Sequence, residues 1–167
     1  MTDIPADELL GSTQLQRCHA TEEDRDAFRK IHHAAYHDLI ERIFGPWQEE
    51  WQDRYFDAAW HRASHDNLYI DGSLVGYCSV EDGDGFVQVN ELVIDPTFQG
   101  RGIGSALLKE VMAAARDRQL PVHLQTHHIN RAAELYRRLG FVETGQTETH
   151  RLFEWTPAGK QPTGLRG

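Results

Sequence analysis

Gln99-Gly100-Arg101-Gly102-Ile103-Gly104 stands between an apolar run that ends at Ile94 and a segment where Ile103, Ala106, Leu107, Val111 and Ala114 recur at helical spacing. Glycine allows positive φ and close approach of the main chain to a ligand, and the first amides of a helix have no acceptor within it. A glycine loop at a helix entrance is therefore suited to an anion such as a diphosphate, and Arg101 adds a cation there. Two other phosphate loops are excluded. A dinucleotide loop requires a third glycine where this chain has Ser105, and an acidic residue ~20 positions on, where residues 119–125 hold none. A nucleoside-triphosphate loop requires Gly-Lys-Ser/Thr, which is absent.

A second chemistry-bearing position lies upstream. Val87, Val89, Glu91 and Val93 share one face by the two-residue alternation of a strand, which puts a carboxylate in an apolar row. Burial makes such a carboxylate more basic, so Glu91 is a candidate general base, acting directly or through a water. His33 and His37 lie four apart on a helical pattern, and His127 and His128 follow a short strand. Neither pair completes a known ligand motif, so no metal is expected. His127 or His128 could instead line an acceptor mouth.

The elements that must hold these residues alternate between helical and strand patterns. Leu15 to Cys18 reads as a first strand, and Thr21-Glu22-Glu23-Asp24 as a helix start with Thr21 as cap. Two helices follow, joined at Gly45-Pro46, the second carrying Trp47, Trp51, Tyr55, Phe56 and Trp60 along one face. Leu68 to Ile70 and Leu74 to Val80 flank Asp71-Gly72, a hairpin turn, and Asp82-Gly83-Asp84-Gly85 leads into a third run from Phe86 to Ile94. After the helix beyond the glycine loop come a strand from Val122 to Thr126 and a helix from about Asn130 to Leu139, closed by Gly140. Strands from Phe141 and through Leu152, Phe153 and Trp155 complete the pattern, and residues 157–167 read as a frayed tail.

Two segments then fall into one frame. The loop from Gln99 to Gly104 resembles the Arg/Gln-x-x-Gly-x-Gly/Ala motif of the GNAT superfamily of N-acetyltransferases. Arg131-Ala132-Ala133-Glu134-Leu135-Tyr136-Arg137-Arg138-Leu139-Gly140-Phe141 is similar to that family's second signature. The resemblance implies one α/β domain with a mixed, mostly antiparallel sheet of six to seven strands flanked by about four helices, its core over about residues 13–156. It implies acetyl-coenzyme A as co-substrate and direct attack by a primary amine through a tetrahedral intermediate. The cofactor's diphosphate would lie on main-chain amides of Gly100, Arg101, Gly102, Ile103, Gly104 and Ser105, with Gln99 heading the motif. Its pantetheine arm would pair with Leu92, Val93 and Ile94 as an added strand, and Asn130 would touch the cofactor. Tyr136 would be the proton donor to the thiolate, and the Val93 amide is a candidate oxyanion donor. The aromatic stripe lies where the family builds its acceptor side, and dimerisation is common there. A module that binds or senses acyl-coenzyme A without turnover, or one moving another short acyl group, would read the same.

Composition sets the remaining bounds. In 167 residues, Asp and Glu exceed Lys and Arg by 26 to 17, a net charge of −9, which disfavours nucleic acid and favours a cationic acceptor, a small amine or a peptide. No apolar run approaches the ~18 residues needed to cross a bilayer, and residues 1–10 lack the basic start and apolar centre of a secretory signal, so a cytoplasmic protein is expected. Cys18 and Cys78 have no second pair and read as buried thiols.

Overall fold

A computed structural model describes residues 14–158. Seven strands and four α-helices form among these residues. The strands are β1 (Leu15–His19), β2 (Asp66–Ile70), β3 (Ser73–Asp82), β4 (Val87–Ile94), β5 (Val122–His127), β6 (Val142–Gln146) and β7 (His150–Trp155). The helices are α1 (Arg25–Phe44), α2 (Glu49–Arg62), α3 (Ile103–Asp117) and α4 (Ala132–Arg138). The readings of residues 1–10 and of most of the tail fall outside the described residues.

The described residues form two compact units, residues 14–79 with 91–106 and residues 80–90 with 107–158. Strand order is β1-β2-β3-β4 in the first and β3-β4-β5-β7-β6 in the second, which together give the seven-stranded order β1-β2-β3-β4-β5-β7-β6. The β4–β5 ladder is parallel, while β1–β2, β2–β3, β5–β7 and β6–β7 are antiparallel, so the sheet is mixed as expected. No helix among the described residues is long and apolar enough to cross a membrane.

In the first unit the local signals act where the sequence puts them. Asp24 accepts from the Thr21 amide at 2.8 Å, and a single 3-10 turn over Glu22–Asp24 leads into α1. Gly45 ends α1 at φ +88°, a conformation that an L side chain rarely adopts. Asp71 and Gly72 take φ +50° and +77°, the paired positive values of a tight hairpin turn. Phe28, Ile31, Phe56, Trp60, Tyr77 and Val93 form one buried cluster, with Phe28 stacked on Tyr77 at 4.5 Å.

Two expectations are corrected here. Trp47 lies before α2, and of the aromatic row only Phe56 and Trp60 are buried, whereas Trp51 and Tyr55 are 69% and 63% exposed. The stripe is two faces of one helix, one serving the core and the other solvent. Cys18 is exposed, because β1 is an outer strand in which no residue is buried; only Cys78 is a buried thiol.

In the second unit, Leu107, Leu108, Val111 and Ala115 of α3 are buried, as are Val122 and Leu124 of β5 and Phe153 and Trp155 of β7. Glu154 is buried beside His123, with 2.5 Å between their side chains. Gly140 follows α4 at φ +96°, and α4 itself begins at Ala132 rather than near Asn130.

Candidate functional site

β4 is the outer strand of the first unit's own sheet, so Glu91, Leu92, Val93 and Ile94 lie on an edge within that unit. The chain then turns through a 3-10 segment, Pro96–Phe98, in which Asp95 Oδ1 accepts from the Thr97 amide at 2.9 Å. Gln99 Nε2 donates to the Ile94 carbonyl at 3.0 Å, tying the start of the glycine loop back to the end of the strand. Gly100 and Gly102 take φ +75° and +79°, conformations that explain glycine at both positions. The Gly102 carbonyl accepts from the Ala106 amide at 2.9 Å, which makes Gly102 the cap of α3 and leaves the amides of Ile103, Gly104 and Ser105 without acceptors inside the helix. Arg101 is exposed, donates to the Thr97 carbonyl at 3.3 Å and lies over the Phe98 ring at 5.3 Å. The donor set of this turn, main-chain hydrogens with one cation, fits a diphosphate.

Glu91 is 22% exposed, and its Oε2 lies 3.6 Å from Nε2 of His65, which is 4% exposed. His65 is held by rings: Trp60 stacks on it at 5.1 Å, and Phe28 and Tyr77 meet it edge-on at 6.3 and 5.9 Å. Tyr77 is fully buried, and its hydroxyl has no hydrogen-bond partner among the described residues. Burial first, and then the charge of Glu91, pushes that phenol well above its usual pKa. His32, buried in α1, is pushed down to about 4 by burial, against the pull of the Glu91 carboxylate, so it is neutral at pH 7. The first unit thus gathers a carboxylate, two buried imidazoles and an orphan hydroxyl around the middle of β4.

A buried hydroxyl without a partner costs roughly 1–3 kcal/mol. Tyr77→Phe is therefore expected to stabilise the free protein by about 1 kcal/mol, read as a raised urea midpoint at unchanged slope. A clear loss of stability would mean that the hydroxyl is satisfied.

In the second unit Tyr136 packs against Phe141 and Phe153 at 6.0 and 5.7 Å, and burial pushes its phenol up to about 12. It keeps its proton throughout the neutral range and so remains available as a hydrogen-bond donor. Asn130 Oδ1 accepts from the Ala132 amide at 2.9 Å, which engages its oxygen and leaves its amide hydrogens to offer a ligand. His128 donates through Nε2 to the Thr147 carbonyl at 3.0 Å, and His127 meets His150 at 5.6 Å.

The helical histidines separate as well. His33 Nε2 donates to Asp53 Oδ1 at 2.8 Å and lies 3.8 Å from Glu49 Oε1, whereas His37 stacks on Trp47. The ligand-type atoms of His33, Glu49 and Asp53 fall within 4.8 Å of one another. The Arg29 guanidinium, 3.3 Å from Asp53, already supplies a cation to that group.

His65, Tyr77 and His32 escaped the sequence reading. Each sits on a different element from Glu91, so no spacing relates them. The usable signal was compositional: His65 just before a strand and Tyr77 inside an apolar one are polar groups at core positions.

The chain matches the acetyltransferase (GNAT) family over residues 27–141. It is 28% identical over 135 residues to an uncharacterized N-acetyltransferase of Methanocaldococcus jannaschii, covering 74% of this chain and 58% of that protein. It is 35% identical over 98 residues to the N-alpha-acetyltransferase RimI of Mycobacterium tuberculosis, covering 53% of this chain and 61% of that protein. The chain thus spans about three fifths of the length of either relative. Its fold is similar to that of the PaiA N-acetyltransferase of Thermoplasma acidophilum in complex with coenzyme A, with a TM-score of 0.71, 14% identity, and 86% and 99% of the two chains covered.

Proposed function

Because the chain belongs to the acetyltransferase (GNAT) family, we propose that it moves an acetyl group from acetyl-coenzyme A to a primary amine, a small molecule or a peptide. The observation that carries this reading is Glu91, a half-buried carboxylate on an outer strand of its unit, followed in the chain by a turn whose helix-entrance amides are free to meet an anion. Acetyl-coenzyme A, when bound, supplies an activated thioester. Main-chain hydrogens of residues 100–105 would hold its diphosphate, and the main chain of Leu92, Val93 and Ile94 would pair with the amides of its pantetheine arm. An amine arrives protonated at neutral pH and attacks only as the free base, so a proton must leave it first. Glu91 is the acceptor of that proton, and His65 lies beside it with Nε2 3.6 Å from the carboxylate. The Val93 amide is proposed as the donor to the carbonyl oxygen.

In the second unit Tyr136 is proposed to donate a hydrogen bond to the leaving sulfur, and the Asn130 amide hydrogens to contact the cofactor. A thiol ionises near about 8.5, far below a phenol at about 12, so Tyr136 stabilises the sulfur without giving up its proton. Tyr136→Phe should lower kcat by about tenfold and leave the KM for acetyl-coenzyme A unchanged. Equal kcat in the two proteins would remove Tyr136 from the chemistry.

An N-alpha-acetyltransferase among the relatives and the acidic balance of the chain support a cationic acceptor with a free amine. The test measures thiol release from acetyl-coenzyme A with spermidine, glucosamine, lysine and an unblocked peptide beginning with alanine. At least one amine should accelerate release. If none does, and calorimetry with coenzyme A gives no heat, the reading is lost.

A further inference from the structure

Asp53, His33 and His32 form a chain of hydrogen bonds from the surface of α2 into the interior of the first unit. His33 Nε2 meets Asp53 Oδ1 at 2.8 Å, and His33 Nδ1 meets His32 Nδ1 at 3.0 Å. A carboxylate accepts and cannot donate, so His33 carries its hydrogen on Nε2. A neutral His33 then presents a bare Nδ1, and two bare nitrogens do not face each other at 3.0 Å. His32 must therefore carry its hydrogen on Nδ1. Its Nε2 is left as a lone pair, and among the described residues nothing bonds to it. The ring is 4% exposed and lies against Tyr36 at 4.9 Å, Phe56 at 5.5 Å and Tyr55 at 6.1 Å, the last of these 63% exposed.

We propose that His32 Nε2 is an acceptor for the amine nucleophile alongside Glu91, and that His33 and Asp53 are positioning residues that fix its tautomer. This rests on the acetyl-transfer reading above. A buried imidazole that stays neutral can accept one hydrogen of the incoming amine while Glu91 takes the proton that must leave. In this step one N–H bond of the ammonium breaks and one O–H bond forms on Glu91, while His32 accepts a hydrogen bond and changes none of its covalent bonds. Asp53 holds His33, and Arg29 holds Asp53 at 3.3 Å while bonding Asp26 at 2.7 Å on the other side. The hydrogen bond from His33, with Arg29 adding to it, keeps the Asp53 carboxyl below its usual pKa, so this anchor remains an acceptor at neutral pH.

The arrangement has a sign. If His33 takes up a second proton, its Nδ1–H donates to His32, the hydrogen of His32 moves to Nε2, and the acceptor becomes a donor that repels an ammonium ion. The charged and titratable groups bearing on this pair are Arg29 of α1, Glu49 and Asp53 of α2, and Glu91 of β4, with the Trp47 ring of the connecting segment 5.1 Å from His33.

Two-bond nitrogen–proton NMR of the uniformly labelled, ligand-free protein at pH 8 reads the tautomer directly. His32 should show hydrogen on Nδ1 and a bare Nε2, and in His33→Phe this preference should be lost. Hydrogen on Nε2 of His32 in the wild type would overturn the relay. In kinetics, His32→Phe keeps a ring in the buried space and should lower kcat/KM for the amine by about tenfold or more, with the KM for acetyl-coenzyme A unchanged. An unchanged kcat/KM for the amine would overturn the role of Nε2 even with the tautomer as stated. If the wild type acetylates no amine, the premise fails and the inference with it, whatever the spectrum shows; a wrong tautomer in an active enzyme removes the relay alone.

Discussion

Glu91→Gln is expected to lower kcat/KM for the amine by about a hundredfold at pH 7, with little change in stability or in the KM for acetyl-coenzyme A. The substitution keeps the shape of the side chain and removes only its capacity to take a proton. Glu91 is 22% exposed, so an amide there is not stranded without solvent, and the fold should tolerate it. A positioned base contributes roughly 10²–10⁴ to rate, which sets the size of the loss. The deficit should also shrink as pH rises, because solvent then supplies the free amine that the enzyme otherwise generates. For an α-amino group, ionising near about 8, wild type and variant should converge by about pH 9; for a side-chain amine near about 10.4, convergence comes later. Initial rates of thiol release at saturating acetyl-coenzyme A from pH 6 to 10 would separate the two kinds of acceptor. Parallel profiles with equal rates would mean that Glu91 carries no proton.

The second large effect falls on stability. A methyl group added at Gly76 of β3 would lie 2.3 Å from the Val93 carbonyl oxygen and 3.1 Å from the Ile94 Cα. Both obstacles are main-chain atoms that cannot rotate away, so β3 and β4 would have to part. Val93 is 2% exposed and belongs to the buried cluster, and the Asp95 amide donates to the neighbouring Val75 carbonyl at 2.9 Å. Parting the strands would disturb both. Overpacking of this kind costs about 3 kcal/mol, equivalent to a fall of about 6–12 °C in Tm for a chain of this size. Gly72→Ala is the matched control: its φ is +77°, yet nothing lies within 4 Å of the added carbon, so its cost is conformational strain alone, about 1 kcal/mol. Thermal unfolding followed by circular dichroism should rank wild type, Gly72→Ala and Gly76→Ala in that order. A Gly76→Ala protein melting with the wild type would show that the close approach of β3 to β4 is unnecessary. Where the variant remains folded, weaker heat of coenzyme A binding should accompany the displaced main chain of Val93 and Ile94.

What could be read from the chain alone was what is local. Asp71-Gly72 names its turn by the φ values it permits, Gly45 and Gly140 name helix ends, and the alternation of Val87, Val89 and Val93 names the row into which Glu91 falls. The conformation of the glycine loop was legible because the glycines that take positive φ and the helix entrance they lead into occupy one stretch. The surroundings of Glu91 were not, because His65, Tyr77 and His32 reach it only through tertiary packing, and periodicity carries no information about that. The aromatic residues from Trp47 to Trp60 misled for a related reason. Large rings spaced about one turn apart suggest a single face, but Trp51 and Tyr55 project to solvent while Phe56 and Trp60 are buried. Cys18 was misjudged because burial of a cysteine depends on whether its strand is central or outermost, which the order of strands decides.

The hydrogen bond from Gln99 to the Ile94 carbonyl has a bearing on how this region can vary in length. Surface connections ordinarily absorb an extra residue at small entropic cost. Here residues 94–99 are closed into a ring by that side chain and braced internally by Asp95 and Thr97, so an insertion would break the ring and swing the opening of α3 away from the strand it follows. The segment acts as a mortised corner joint between a rail and a post, whose usefulness lies in holding a fixed span rather than in flexing.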